Sequence, residues 1–322
     1  MNARHGHSQW LIYTLLCVAA DLLDTVLMYI APNAQTSLGP QDSALKSMSD
    51  EEITKVVEQA PKVHVKYFVR KLTPTTVAKG TRDTEEYTLY PAEANALNLA
   101  FEKTTIPVPR VQRVSKYDDR HTIILDYIKG PLLAEVWSTY SIWRKVWVAF
   151  ILRRYVRQLR QVKASPTAPP GPIAPGARPL TCESPVFGPI QPCRGPFASY
   201  GELTSFCNER AFRACLADKL PKDDPRWKEG FDDSEALVLT HQDIIPRNII
   251  VGEDGKLWLI DFGWSGYWPP WFEYISMKAQ SENEVNHGMR YEHWDLFIPF
   301  ICGPYFKQEN WWSHAAKAFD WG

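Results

Sequence analysis

Residues 237–266 read LVLTHQDIIPRNIIVGEDGKLWLIDFGWSG, and this stretch decides the fold of the chain. A short apolar run ends in a polar loop that carries Asp243 and Asn248. A second apolar run follows, and the pair Asp254-Gly255 then predicts a tight turn between two strands. The stretch is therefore predicted to form a polar loop followed by a β-hairpin.

The returning strand of this hairpin ends at Asp261, which Phe262 and Gly263 follow. Because a hairpin brings its two ends together, we expect Asp261 to return to the neighbourhood of Asp243 and Asn248. Two carboxylates and an amide oxygen are ligands that suit Mg²⁺. The alternative is a structural hairpin whose acidic side chains only cap turns.

The order of these residues resembles the catalytic and metal-binding loops of the protein-kinase fold. There an Asp is followed five residues later by an Asn, and then by Asp-Phe-Gly. Pro246 and the Trp-rich tail resemble one branch, the aminoglycoside-phosphotransferase-like and choline-kinase-like family, whose loop usually reads H-G-D-x-H-P-x-N. The chain departs from that loop at Gln242 and Ile245. Residues 191–196, Gln-Pro-Cys-Arg-Gly-Pro, resemble a stretch of fungal-type members.

The resemblance implies an α+β, two-lobed protein-kinase-like fold. Its N-lobe would hold a small antiparallel sheet plus one helix, and its C-lobe would be mostly helical. On this scheme residues 1–47 form a hydrophobic N-terminal extension, residues 48–129 the N-lobe and residues 130–322 the C-lobe. The C-lobe would carry a Pro-rich insertion at residues 165–196. The density of Pro and Gly predicts that this insertion contains no packed helix or strand.

The same resemblance implies a nucleotide site. Lys79 follows a Val-Ala pair and would neutralise the inner phosphates of ATP, with Lys71 as its substitute. Glu93, in the first turn of a predicted helix, would pair with that lysine. The alternative for Glu93 is a helix-start carboxylate that the helix dipole favours. Backbone groups of Asp126 and Ile128, in the linker between the lobes, would bind adenine.

The loop and the hairpin would carry the chemistry. Asp243 would accept or orient the proton of an acceptor hydroxyl. Asn248 and Asp261 would hold Mg²⁺, so that the expected cofactors are ATP and Mg²⁺. Arg247 is a candidate phosphate contact, and His241 is predicted to brace the loop.

Charge and cysteine content narrow the class of function. The chain has 322 residues with 36 basic and 37 acidic side chains, so no basic excess favours nucleic acid as a partner. Its six cysteines form no Cys-x-x-Cys pair, which argues against zinc and favours buried thiols in a reducing compartment. Together with the resemblance, these features predict a monomeric cytoplasmic protein that acts on a small-molecule hydroxyl acceptor.

Residues 10–30 form a long, mostly apolar segment. Asp21 and Asp24 near its middle oppose a membrane span, since each costs about 2.5–3.5 kcal/mol on insertion scales. A basic start followed by an apolar run also fits a signal peptide, and a membrane-associated or accessory helix is a further alternative. We favour a cytoplasmic catalytic body that begins near Met48, where a Ser-x-x-Glu pattern predicts a capped helix.

These features favour ATP- and Mg²⁺-dependent transfer of the γ-phosphoryl group to a hydroxyl of a small molecule. Two alternatives stay open. A catalytically weak pseudokinase that serves as a binding module is favoured by residues 40–79, which contain no glycine where a Gly-rich loop would precede Lys79. A Ser/Thr protein kinase is opposed by the lack of an Ala-Pro-Glu motif after Gly263. No carboxylate cluster suited to a polycationic antibiotic is recognised, and the acceptor is left open.

Overall fold

The computed structural model describes residues 3–30, 45, 47–63, 69–80, 91–118, 120–187 and 193–319. A long helix, α1 (Ala3–Ile30), precedes an N-lobe built on an antiparallel sheet and a C-lobe that is mostly helical. The predicted α+β class, with a small antiparallel sheet before a mostly helical region, is thus confirmed. Residues 31–44 of the predicted extension and the first two residues of the fungal-type motif lie outside the described residues.

The N-lobe sheet has four strands in the order β1–β2–β4–β3, and each neighbouring pair is antiparallel. The strands are β1 (Val69–Lys71), β2 (Thr76–Gly80), β3 (Val111–Tyr117) and β4 (Arg120–Asp126), and the accompanying helices are α2 (Asp50–Gln59) and α3 (Ala92–Lys103). The predicted cap of α2 is confirmed, because Ser49 and Glu52 exchange hydrogen bonds in a capping box.

Helix α3 follows from an Ala-rich sequence, since alanine has the highest helix propensity. Ala94, Ala96, Leu97 and Ala100 are almost fully buried. Small side chains on this face let α3 lie close to the sheet, and its first turn then presents Glu93 to β2.

The C-lobe is built from helices with a core of aromatic side chains. Its helices are α4 (Leu133–Val136), α5 (Ile142–Gln161), α6 (Tyr200–Ala217), α7 (Phe272–Asn286), α8 (Trp294–Cys302) and α9 (Phe306–Ala315). Trp268, Trp271, Phe272, Tyr274 and Trp294 are each at most 2 % exposed. The aromatic tail after the hairpin therefore builds the core of this lobe.

The predicted hairpin is confirmed. Strands β9 (Ile249–Val251) and β10 (Leu257–Leu259) pair antiparallel. Gly255 makes the turn with a φ of +76°, a conformation that glycine adopts without steric cost. The backbone N–H of Leu259 donates to the carbonyl of Pro107 at 2.9 Å, so the hairpin is fixed against the connection between α3 and β3 of the N-lobe.

The described part of the Pro-rich insertion, residues 165–187 and 193–196, contains short paired strands, so the prediction that the insertion contains no packed helix or strand is wrong. Its short strands are β5 (Gly171–Pro172), β6 (Cys182–Glu183) and β7 (Cys193–Arg194). Strand β5 is the edge of a three-stranded sheet with β11 (Gly266–Trp268) and β8 (Val238–Thr240). An edge strand tolerates proline because it needs donors on one side only. Gly266 allows the close approach, since a Cβ there would lie 2.2 Å from the carbonyl oxygen of Gly171.

Candidate active site

Lys79, near the end of β2, joins the two lobes. Its Nζ donates to Glu93 Oε1 at 2.7 Å and to Asp261 Oδ1 at 2.6 Å. Burial acts to lower the pKa of the Lys79 ammonium, but the two carboxylates outweigh it and raise that pKa above its ordinary value. Lys79 is therefore a positive charge held between the first turn of α3 and the end of the hairpin.

The substitute candidate, Lys71, lies elsewhere. Its Nζ is 4.1 Å from the centre of the Tyr127 ring, which is a cation–π contact. The geometry thus favours Lys79 over Lys71 as the lysine that faces the hairpin.

Asp243, directly after β8, is only 6 % exposed. Its carboxylate accepts two bonds from Arg247 at 3.0 and 3.1 Å, one from Asn248 Nδ2 at 2.6 Å and one from Gln280 Nε2 at 3.1 Å. Burial raises the pKa of Asp243 to about 7, although Arg247 and the hydrogen bonds from Asn248 and Gln280 oppose that rise. The carboxyl group is therefore fixed in position and titrates near neutral pH.

Asn248 and Asp261 lie side by side because the N–H of Ile260 donates to the carbonyl of Asn248 at 3.0 Å. Asn248 Nδ2 donates to the carboxylate and the backbone carbonyl of Asp243, which leaves its Oδ1 oxygen to accept or ligate. The Asp261 side chain is 40 % exposed although its Oδ1 contacts Lys79. An amide oxygen and an accessible carboxylate fit Mg²⁺, which is commonly bound by one or two carboxylates together with substrate phosphates.

Three comparisons bear on these residues. Residues 151–294 match the phosphotransferase enzyme family, APH. The matched segment contains the loop with Asp243, the hairpin with Asn248 and Asp261, and all of α7. Lys79 and Glu93 lie outside it. No match was found among curated proteins.

Solved phosphotransferase structures are similar to the chain at low sequence identity. One is aminoglycoside phosphotransferase APH(3'')-Id from Streptomyces rimosus with ADP and streptomycin, at 16 % identity, with 77 % of this chain and 88 % of that chain covered and a TM-score of 0.40. A second is APH(2")-IIa with streptomycin and ATP, at 12 % identity, 88 % and 93 % coverage and a TM-score of 0.41. A third is spectinomycin phosphotransferase APH(9)-Ia with ADP and spectinomycin, at 14 % identity, 76 % and 74 % coverage and a TM-score of 0.40.

His241 braces the loop that carries Asp243 from inside. Its Nδ1 accepts the backbone N–H of Asp243 at 3.1 Å, so Nε2 carries the proton and donates to the carbonyl of Ile260 at 3.0 Å. Its ring also packs edge-on against Phe262. Burial lowers the pKa of His241 to about 4, which keeps the imidazole neutral. His241 thereby ties the loop to the strand that delivers Asp261.

Glu273, in the first turn of α7, holds the loop from the other side. Its two carboxylate oxygens accept the backbone N–H groups of His241 at 2.6 Å and of Gln242 at 3.0 Å. Gln242 has a φ of +65°, in the left-handed region, which explains why the usual loop has glycine there. The Gln242 side chain accepts a hydrogen bond from Ser184, so this departure from the usual loop ties the insertion to the site.

The contacts that α7 makes with the loop were not predicted from the sequence. Glu273 holds the loop, Gln280 donates to Asp243, and Glu284 accepts from Arg247 Nε at 2.9 Å. The three residues are seven and then four positions apart in the sequence, and this spacing places them on one face of a helix. No sequence motif points to these three residues.

We predict that Glu273→Gln lowers the free energy of unfolding by roughly 1–3 kcal/mol, because an amide offers one oxygen where two N–H groups need acceptors. The loss should be measured by denaturant unfolding, with wild type and variants compared at one pH. The matched control is Glu282→Gln, an exposed position on the same helix. Equal stability of the two variants would contradict the role of Glu273.

Asp126 and Ile128 lie at the end of β4, between the lobes. The Asp126 carboxylate accepts from Gln112 Nε2 at 2.6 Å and pairs with Arg110 at 3.2 Å. Its backbone N–H donates to the Arg110 carbonyl. The side chain of Asp126 is thus engaged within the N-lobe, and contact of the Asp126 and Ile128 backbone with adenine stays a prediction.

Proposed function

We propose that this chain is an ATP- and Mg²⁺-dependent phosphotransferase that moves the γ-phosphoryl group to a hydroxyl of a small molecule. The observation that carries the proposal is the contact of Lys79 with both Glu93 and Asp261. That contact places a cation from the N-lobe against the end of the hairpin, beside Asn248 and Asp243. The match of residues 151–294 to the phosphotransferase enzyme family supports it.

The proposed roles follow from charge. Phosphoryl transfer depends mainly on positioning and on neutralisation of phosphate charge. Lys79 would bind the inner phosphates, and Glu93 would hold its ammonium in place. Asn248 and Asp261 would hold Mg²⁺, which would supply positive charge against the phosphates of ATP.

Asp243 would take the proton of the acceptor hydroxyl. Four hydrogen bonds from N–H donors keep the carboxylate oxygens of Asp243 in place. The raised pKa of Asp243 suits exchange of a proton near neutral pH. Arg247 is the positioning residue in this scheme, because it links Asp243 to Glu284 on α7.

We predict a pH dependence that follows from Asp243. Burial raises the pKa of this carboxyl to about 7, so the basic form is lost as the pH falls through that value. The kcat/KM for phosphoryl transfer should therefore fall below about pH 7 and level off above it. In Asp243→Asn the remaining activity should show no such step, and a wild-type profile that stays flat through pH 7 would contradict the assignment.

A pseudokinase is the second candidate, and Arg247 is the observation that favours it. Its guanidinium already engages both carboxylate oxygens of Asp243. In a binding module this ion pair would be purely structural. Nucleotide binding without turnover would then be expected.

Release of ADP from ATP in the presence of single candidate acceptors tests the proposal. A panel of small hydroxyl compounds is screened with wild-type protein, and Asp261→Ala serves as the blank. The proposal predicts at least one acceptor that raises ADP release in wild type and leaves the blank unchanged. Binding of Mg²⁺·ATP with no acceptor-dependent ADP release across the panel would favour the pseudokinase.

A further inference from the structure

Helix α1 is long and mostly apolar. Residues 7–27 are long and apolar enough to cross a membrane, yet only 11 % of the most apolar part is buried in the protein. One face of the helix is docked on the protein, and the other face presents a large apolar surface that the protein does not cover.

The inner face of α1 is docked on the C-lobe. Asp21 accepts two bonds from Arg153 at 2.7 and 2.8 Å, and Asp24 accepts one from Arg157 at 2.8 Å. The hydroxyl of Tyr13 donates to the carbonyl of Leu296 on α8 at 2.9 Å. The two acids that oppose a membrane span are thus turned inward and neutralised by arginines of α5.

The outer face of α1 is exposed and apolar. At 100° per residue, most of these positions cover about half of the circumference. The exposed side chains, between 39 % and 64 % accessible, are Trp10, Leu11, Ile12, Leu15, Leu16, Val18, Leu22, Leu23, Val26 and Leu27.

The apolar surface continues onto neighbouring helices. Trp143 is 80 % exposed and Trp147 is 48 % exposed, and they precede Arg154 by eleven and seven residues on α5. These spacings place them on the same stripe of α5 as Arg154, which pairs with Asp24 of α1. Fifteen of the 21 large apolar side chains that are exposed in the described residues lie on α1, on the first turns of α5 or at Leu296.

We propose that α1 seats the protein on a lipid bilayer, lying flat with its outer face in the interfacial layer. The apolar half of α1 can lie in the interfacial layer because the other half stays docked on the C-lobe, and exposed tryptophans prefer the boundary between lipid and water. This surface, defined as the outer face of α1 with Trp143, Trp147 and Leu296, is far larger than the scattered apolar residues of a soluble surface.

The ion pairs of α1 set its orientation. A spanning α1 would have to release Asp21 and Asp24 from the arginines of α5 or carry those arginines into hydrocarbon, and charged side chains are costly there. A flat orientation keeps every one of these ion pairs and still covers the outer face. The membrane would therefore be a docking surface for the intact C-lobe.

Flotation of the purified full chain with phosphatidylcholine vesicles tests the proposal. Wild-type protein should float with the vesicles, and Leu15→Glu/Leu22→Glu should bind more than about tenfold less, because two charges enter the outer face. The matched control is Phe212→Glu/Leu216→Glu, which adds the same charges at exposed apolar positions of α6. This control should float like wild type.

Several outcomes would overturn the proposal. They are wild-type protein that does not float, equal flotation of both double variants, and vesicle-bound protein that resists extraction at alkaline pH as a spanning helix does. Light scattering of the same proteins measures whether each is a monomer or a dimer. If wild type does not float and only Leu15→Glu/Leu22→Glu converts a dimer into a monomer, the occupant of this face is a second copy of the chain. None of these readouts depends on phosphotransferase activity.

Discussion

Replacing Asp243 by Asn is expected to lower turnover by about 10²–10⁴-fold, which is the usual contribution of a general base. The fold should persist with a loss of roughly 1–3 kcal/mol, because the amide fills the same volume but offers one acceptor oxygen where the carboxylate offered two. Arg247 keeps its bond to Glu284 at 2.9 Å. The reason for the loss is chemical, since an amide does not take up the hydroxyl proton. Turnover is measured as acceptor-dependent ADP release, and folding as thermal unfolding.

The control for this variant is Asp223→Asn, the same isosteric change at an exposed carboxylate of the C-lobe. Its turnover should equal that of wild type. An Asp243→Asn enzyme that keeps more than about a tenth of wild-type turnover would remove Asp243 from the reaction. A variant that loses turnover and unfolds at a much lower temperature would point instead to a structural role.

The second large effect is expected from Lys79→Met. Loss of a preorganised charge at the phosphates should lower kcat/KM for ATP by about 10²–10³-fold, by comparison with other groups that stabilise transition-state charge. The change also leaves Glu93 and Asp261 without the cation between them, so some loss of stability is expected. Steady-state kinetics with varied ATP measures the first effect, and denaturant unfolding the second.

Two further variants separate the role of Lys79 from its effect on folding. Lys79→Met/Glu93→Gln removes one buried carboxylate, so stability should recover while kcat/KM stays low. Lys55→Met, at an exposed lysine that pairs only with Glu51 in the described contacts, should leave kcat/KM unchanged. Recovery of kcat/KM together with stability in the double variant would show that Lys79 acts only through the fold.

The central hairpin could be predicted from the sequence because its determinants are local. A polar loop, two apolar runs and an Asp-Gly turn fix where Asp261 must return relative to Asn248. The order of motifs then placed Lys79 and Glu93, which the structure brings to 2.7 Å. Their catalytic roles stay predictions.

The rest of the site depends on tertiary contacts that no local pattern encodes. Glu273, Gln280 and Glu284 matter because α7 packs against the loop. Their spacing shows that they share a helix face, but it does not show which part of the chain that face contacts. Strand β5 of the insertion forms because it pairs with β11 at Gly266, on the edge of the sheet. Local Pro and Gly content predicted the opposite, since composition does not show which partner strand is available.

The acidic residues of α1 are a second case in which local sequence does not reveal a tertiary contact. In the sequence Asp21 and Asp24 oppose a membrane, because a lone charge in a helix is costly to bury. In the structure both are paired with arginines more than a hundred residues away along the chain. Pairing across such a distance depends on the fold as a whole. The paired acids still oppose a membrane span, but they lie on the inner face and leave the outer face of α1 apolar.

Mg²⁺-dependent binding of ATP, measured by calorimetry on the wild-type protein and on Asp261→Ala, tests the central claim most directly. The account predicts that wild type binds ATP in the presence of Mg²⁺, binds it much more weakly when Mg²⁺ is removed, and loses the Mg²⁺-dependent part in Asp261→Ala. Binding that is the same with and without Mg²⁺, or the same in both proteins, would contradict the claim that Asp261 and Lys79 form a nucleotide phosphate site.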